Sequence, residues 1–152
     1  MERKLAFLLL LLLLPVFLST ASAQTFFCPE AAFTMTVPDD FVQLTISEAD
    51  DPDLRLLLES PEMTLSVYVS FSAAGSSDDL FQVFSGNETE SGSLLIDGRE
   101  ASYVFWNEGS SSCSLYTLTD RTNQIQFYFF STGRQDLARE AISAIIQSVV
   151  FD

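Results

Sequence analysis

The chain has 152 residues, enough for one modest domain, and carries 21 acidic residues against 7 basic ones and no histidine, a formal charge of −14. Such a chain offers no cationic surface to displace phosphate counterions, which excludes nucleic acid as a partner. Lys4 is the only lysine. Beyond the first residues, therefore, the usual general base, imidazole metal ligand and Schiff-base amine are all missing, and most enzyme classes lose their central residue.

Glu2, Arg3 and Lys4 open the chain, an apolar run follows from Leu5 to Leu18, and Ser19 to Ala23 are small. This is the three-part plan of a secretory signal. The apolar run is roughly 14 residues long, short of the roughly 20 that a membrane-spanning helix needs, and Pro15 interrupts it. Ala21 and Ala23 satisfy the small-residue rule for cleavage before Gln24. The expected organisation is a signal peptide at 1–23, a short N-terminal segment at 24–30 and a single domain at 31–152. Cys28 follows Thr25, Phe26 and Phe27 rather than small residues, so a lipoprotein is not expected. No later segment approaches spanning length, and the product is expected to work outside the cytoplasm, secreted or in the cell envelope.

Two cysteines remain, Cys28 and Cys113. An even count in an exported chain suggests one disulfide, which would close a long loop and contribute about 4 kcal/mol in the chain-entropy model. Two buried free thiols are the alternative. Neither cysteine sits in a CxxC arrangement or has a histidine partner, so no metal, cofactor or thiol catalysis is expected.

From Ala32 to Val37 the apolar Phe33, Met35 and Val37 alternate with threonines, and Pro38, Asp39 and Asp40 stop the run, which predicts a strand ending in a turn. Phe41 to Thr45 continue as a short strand before the acidic stretch Glu48 to Asp53. Met63 to Phe71 alternate most clearly, with Leu65, Val67, Val69 and Phe71 on one face and Thr64, Ser66, Tyr68 and Ser70 on the other. Ser76 with Asp79 resembles a helix start, and Leu80, Phe81 and Phe84 at helical spacing predict a short helix closing near Gly86.

Leu94 to Ile96, Asp97-Gly98 and Arg99 to Trp106 predict a hairpin with a tight two-residue turn. Cys113 to Thr119 and Gln124 to Phe130 predict a second one, in which Ile125, Phe127 and Phe129 lie opposite Gln124, Gln126 and Tyr128. Thr132 with Gln135 forms a candidate capping box for a final helix. Its apolar stripe is Leu137, Ala141, Ile142, Ile145, Ile146 and Val149, and the helix is expected to lie across the sheet. Antiparallel hairpins with few helices between them give the class α+β.

The Phe33 to Pro38 run, the aromatic Phe41, the central strand Met63 to Phe71, the hairpin with Gly98, the strand from Tyr116 to Thr119 and the ending Ala141 to Phe151 together resemble the PsbP-like family. The resemblance covers nearly all of residues 31 to 152. It implies an α/β/α sandwich around a central antiparallel sheet, a fold shared with Mog-type Ran-binding factors. It also implies a non-enzymatic binding or assembly role. No functional surface of the family can be matched residue by residue.

Several features invite chemistry. The run Glu48 to Asp53 offers clustered oxygens to calcium but lacks the glycine and distal glutamate of a helix-loop-helix site, so a solvated acidic loop is expected. The serines from Ser110 to Ser114 have no base to activate them and read as a loop. Two carboxylates suffice for glycoside hydrolysis, yet no spacing selects a pair. Trp106, Tyr68, Tyr103, Tyr116 and Tyr128 are the candidate binding residues, a platform for a sugar or peptide if they share the open face of the sheet. Asn87-Glu88-Thr89 is a glycosylation sequon. The expectation is a secreted or envelope-associated non-catalytic module that binds an unidentified protein or envelope polymer through a sheet edge or acidic surface. The alternative is a carbohydrate- or small-ligand-binding module using the aromatic face.

Overall fold

The computed structural model describes residues 22–47, 51–71 and 88–152. Their strands are β1 (Ala23–Cys28), β2 (Phe33–Pro38), β3 (Val42–Gln43), β4 (Leu54–Glu59), β5 (Met63–Phe71), β6 (Glu88–Ile96), β7 (Arg99–Glu108), β8 (Ser111–Asp120), β9 (Asn123–Ser131) and β10 (Val150–Phe151). A helix, α1 (Gln135–Gln147), precedes the last strand. The class is α+β, mostly antiparallel sheet with, among the described residues, one helix near the C-terminus. The signal segment up to residue 21, the predicted helix from Ser76 and the sequon at Asn87 lie outside the described residues.

Seven strands form one sheet in the order β3-β4-β5-β9-β8-β7-β6, and β1, β2 and β10 form a second, smaller one. Every pairing is antiparallel. Two turns are set by local chemistry. Asp97 and Gly98 both have positive φ, 47° and 77°, as a two-residue turn matching the twist of its strands requires. Arg121 takes the same left-handed region, φ 55°, at the β8–β9 turn.

The core follows from strand parity. Leu65 pairs with Phe129, Val67 with Phe127 and Val69 with Ile125, so β5 and β9 turn six apolar side chains to one face. All six are buried, and that face packs into one cluster with Phe33, Met35 and Val37 of β2 and with Ala138, Ile142, Ile145 and Ile146 of α1. Phe33 links the layers: its ring lies 5.5 Å from both Phe127 and Phe151. Ser148 closes the helix and clamps it to the small sheet, its hydroxyl accepting the Thr36 N–H at 2.8 Å.

Several expectations need correction. The N-terminal segment at 24–30 carries most of β1, a strand not foreseen there, which pairs along the whole of β2, from Ala23 opposite Pro38 to Cys28 opposite Phe33. Leu54 to Glu59 form a strand that the sequence reading passed over. Ser111 and Ser112 are not loop residues; they begin β8. The capping box does not form: Arg134 is the N-cap residue, and no side chain bonds the free N–H groups of the first turn. Leu137 leaves the apolar stripe and is 52% exposed, whereas its neighbour Ala138 enters the core.

Candidate functional site

The opposite face of the large sheet carries the other parity. Across it run Thr64, Phe130, Cys113 and Trp106 in one row, Ser66, Tyr128, Leu115 and Val104 in the next, and Tyr68, Gln126, Thr117 and Ser102 in the third. Val104, Trp106, Cys113 and Leu115 form a second buried cluster at one end, with Tyr128 and Phe130 packed against it. The Trp106 and Tyr128 rings lie 5.9 Å apart at 35°.

Toward the other end the face turns polar and opens into a cleft of about 410 Å³. Its floor is Gln124 and Gln126, each only 6% exposed. Neither carboxamide makes a hydrogen bond within the described residues. Tyr68, Tyr128 and Leu115 are the walls, and Ser70, Asp51 and Asp53 stand at the rim. The rim is pinned locally: Asp51 Oδ1 accepts the Asp53 N–H at 3.1 Å, and the Asp53 carbonyl accepts the Val69 N–H at 2.9 Å. Burial pushes the Tyr128 phenol well above its ordinary pKa, and its donation to Cys113 Sγ at 3.7 Å raises it further. The hydroxyl stays neutral and is engaged with Cys113, and Tyr128 lines the cleft beside it. Among the described residues no cationic side chain lines this cleft.

The five aromatic residues singled out in the sequence do not share a face. Tyr68 and Tyr128 line the cleft, and Trp106 backs Tyr128 from a buried position. Tyr103 and Tyr116 point to the helix side, 5.9 Å apart, where Phe105 packs against both rings. There Tyr103 Oη donates to Glu90 at 3.4 Å, Glu90 accepts Arg139 at 2.6 Å, and the Arg139 guanidinium lies 4.5 Å from the centre of the Phe105 ring. Those aromatics are structural. Sequence reasoning missed Gln124 and Gln126 as site residues, although their alternation along β9 was visible.

The expected disulfide is absent. Cys28 and Cys113 are both free and buried. Cys28 packs in the main core and Cys113 in the cluster on the far face, so the seven-stranded sheet lies between thiols that a disulfide would need within bonding reach.

Among the described residues no group of three or more acidic or cysteine side chains is placed to hold a metal ion, and no helix is long and apolar enough to cross a membrane. Asp51 and Asp53 are the two carboxylates of the cleft. Both stem from one short turn and stand on the same lip, whereas glycoside hydrolysis needs two acids flanking the scissile bond.

No sequence family and no curated protein matches this chain. Solved structures do. The chain is similar to the cyanobacterial PsbP (CyanoP) of Synechocystis sp. PCC 6803, with a TM-score of 0.66 and 12% identity over 90% of this chain and 96% of that one. It is similar to the Ran-binding protein Mog1p of Saccharomyces cerevisiae, with a TM-score of 0.52 and 8% identity over 86% and 96%. A protein of Bacteroides thetaiotaomicron matches at a TM-score of 0.58 and 15% identity over 85% of this chain and 48% of its own. The fold is that of PsbP and Mog1.

Proposed function

We propose that this chain is a non-catalytic binding module, exported from the cytoplasm, that recognises an extended segment of another macromolecule along the edge strand β6. The observation that carries this reading is the edge itself. β6 is the nine-residue outer strand of the large sheet, Glu90 to Ser93 are exposed, and no described strand pairs with its outer side. The opposite edge, β3, has only two residues. An unpaired edge is a template for another strand, and proteins commonly block it with lysine or proline. β6 has neither.

The charge of −14 favours a basic partner segment. The missing histidine and the lack of any lysine beyond Lys4 leave few means of bond-making, and one fold neighbour is itself a Ran-binding protein, so this scaffold has served protein recognition elsewhere. The apolar leader ending at Ala23 supports export. The finer architecture, an α/β/α sandwich with a second layer over the face away from α1, belongs to the same proposal. Burial of Val104, Trp106, Cys113 and Leu115 on that face supports it.

The test is a selection from displayed random peptides, followed by amide hydrogen exchange. Enrichment of Lys- and Arg-containing sequences that slow exchange at Gly92 and Ser93 is the expected result. Protection confined to other strands would overturn the edge reading. Turnover of a substrate that is abolished by a single carboxylate substitution would overturn the non-catalytic one.

A further inference from the structure

We propose that the cleft floored by Gln124 and Gln126 binds an uncharged, hydroxyl-rich ligand, a mono- or disaccharide. This site is separate from the β6 edge and does not depend on it.

The argument begins with the two glutamines. A carboxamide has two N–H donors and a carbonyl acceptor. As whole residues Gln124 and Gln126 are more than nine-tenths buried, yet their amide ends stay open to the cleft and make no hydrogen bond among the described residues. Their side chains leave β9 two residues apart on one face, so both amides address the same volume. At about 410 Å³ it falls in the range of roughly 300–1,000 Å³ typical of small-molecule sites.

The donor set then selects the ligand. An anion would accept from the amide N–H groups but would meet the Asp51 and Asp53 carboxylates with no cation to offset them. An ammonium ion would satisfy the carboxylates and the amide carbonyls, but it has no acceptor for the four amide N–H donors that face the cleft. A hydroxyl both donates and accepts. Neighbouring hydroxyls on one ring match the two ends of a carboxamide, and others can donate to the rim carboxylates and to Ser70. The Tyr68 and Tyr128 rings supply the flat apolar walls against which the C–H face of a sugar packs.

The structure also provides its own reporter. Trp106 is the only tryptophan, and it packs against Tyr128 from behind. Filling the cleft against Tyr128 will change the surroundings of that indole. Intrinsic fluorescence of the purified protein is therefore titrated with maltose, cellobiose and chitobiose, and separately with tetramethylammonium and acetate.

A saturable change with at least one of the sugars is expected, weakened tenfold or more in both Gln124→Met and Gln126→Met. These near-isosteric variants remove only the hydrogen-bonding ends, and their urea midpoints verify that they fold. The remote variant Leu95→Ser is expected to bind as the parent does. No saturable change with any of the three sugars overturns the proposal, as does saturation by tetramethylammonium or acetate alone, or sugar binding indifferent to both glutamine substitutions. Release of monosaccharide from a bound disaccharide would uphold the sugar site while overturning the non-catalytic reading.

Discussion

The phenol of Tyr103 lies across Gly92: a Cβ at position 92 would sit 2.9 Å from Tyr103 Oη and 3.0 Å from its ring carbons. The two residues are direct cross-strand partners on β6 and β7. Leaving out the side chain at 92 lets the tyrosine lie across its partner residue to Glu90 on the same strand, and so joins the edge of the sheet to Arg139 on α1. Gly92→Val must push the phenol off this path. The expected cost is about 1–3 kcal/mol, the usual range for forcing a bulky group into a packed site, read as a lower urea midpoint. A variant as stable as the parent would show that Tyr103 is free to move aside.

Arg99 ties the chain end to the sheet. Its Nε donates to Asp120 at 2.7 Å, its Nη1 lies 3.3 Å from Asp97 Oδ2, and its guanidinium stacks 4.0 Å from the centre of the Phe151 ring. Asp97 Oδ2 also accepts the Phe151 N–H at 2.9 Å. Removing Arg99 breaks a partly buried pair and uncovers Phe151 at once. Arg99→Ala is expected to destabilise by roughly 2–3 kcal/mol, more than an exposed ion pair would. Arg99→Lys should recover only part of this, because lysine lacks the planar fork. Equal midpoints for the alanine and lysine variants would contradict the stacking role.

Strand parity explains how much of this was legible in the sequence. β5 and β9 stood out because one face of each meets a continuous apolar core while the other does not. β4 did not, since Leu56, Leu57 and Leu58 run without alternation, and such a run fits a strand or a buried helix equally well. β1 was masked by its place at the leader junction, where its pairing with β2 leaves no local mark. The aromatic platform failed on a point the sequence did contain: Tyr103 and Trp106 are three residues apart on one predicted strand and so must face opposite ways. The meeting of Tyr68 with Gln126 is a matter of register between strands far apart in the chain, and no local pattern encodes it.

The bare N-terminus of α1 gives a stabilising prediction. Arg134 occupies the N-cap position without bonding the first-turn N–H groups, and its contact with Asp136 is solvent-exposed at both ends. Arg134→Ser supplies a hydroxyl acceptor and removes a cation from the positive end of the helix. Stability should rise by about 1 kcal/mol, whereas Thr132→Ala should change it little because Thr132 caps nothing. Thermal unfolding of the two variants decides this, and a lower midpoint for Arg134→Ser would show that the exposed pair matters more than the cap.

Alkaline pH should unfold the protein through its buried weak acids. Burial pushes the Cys28 thiol up to about 11 and the Tyr116 phenol up to about 12, and it also raises Cys113 and Tyr128. In the unfolded chain these groups ionise near their ordinary values, about 9 for the thiols. Between that pH and the folded values the unfolded state therefore binds fewer protons than the native state, and stability falls as pH rises. The Cys28 contribution is whole below about pH 9 and is lost as pH climbs through about 11. The urea midpoint should accordingly hold from pH 7 to 9 and then decline, less steeply in Cys28→Ala. The same chemistry governs reactivity, because only the thiolate attacks a disulfide reagent. At pH 8 the native protein should react slowly with Ellman's reagent, and unreduced protein in denaturant should yield both thiols. Finding none would mean that the two sulfurs are bonded to each other, which thiols on opposite sides of a seven-stranded sheet cannot achieve without dismantling it.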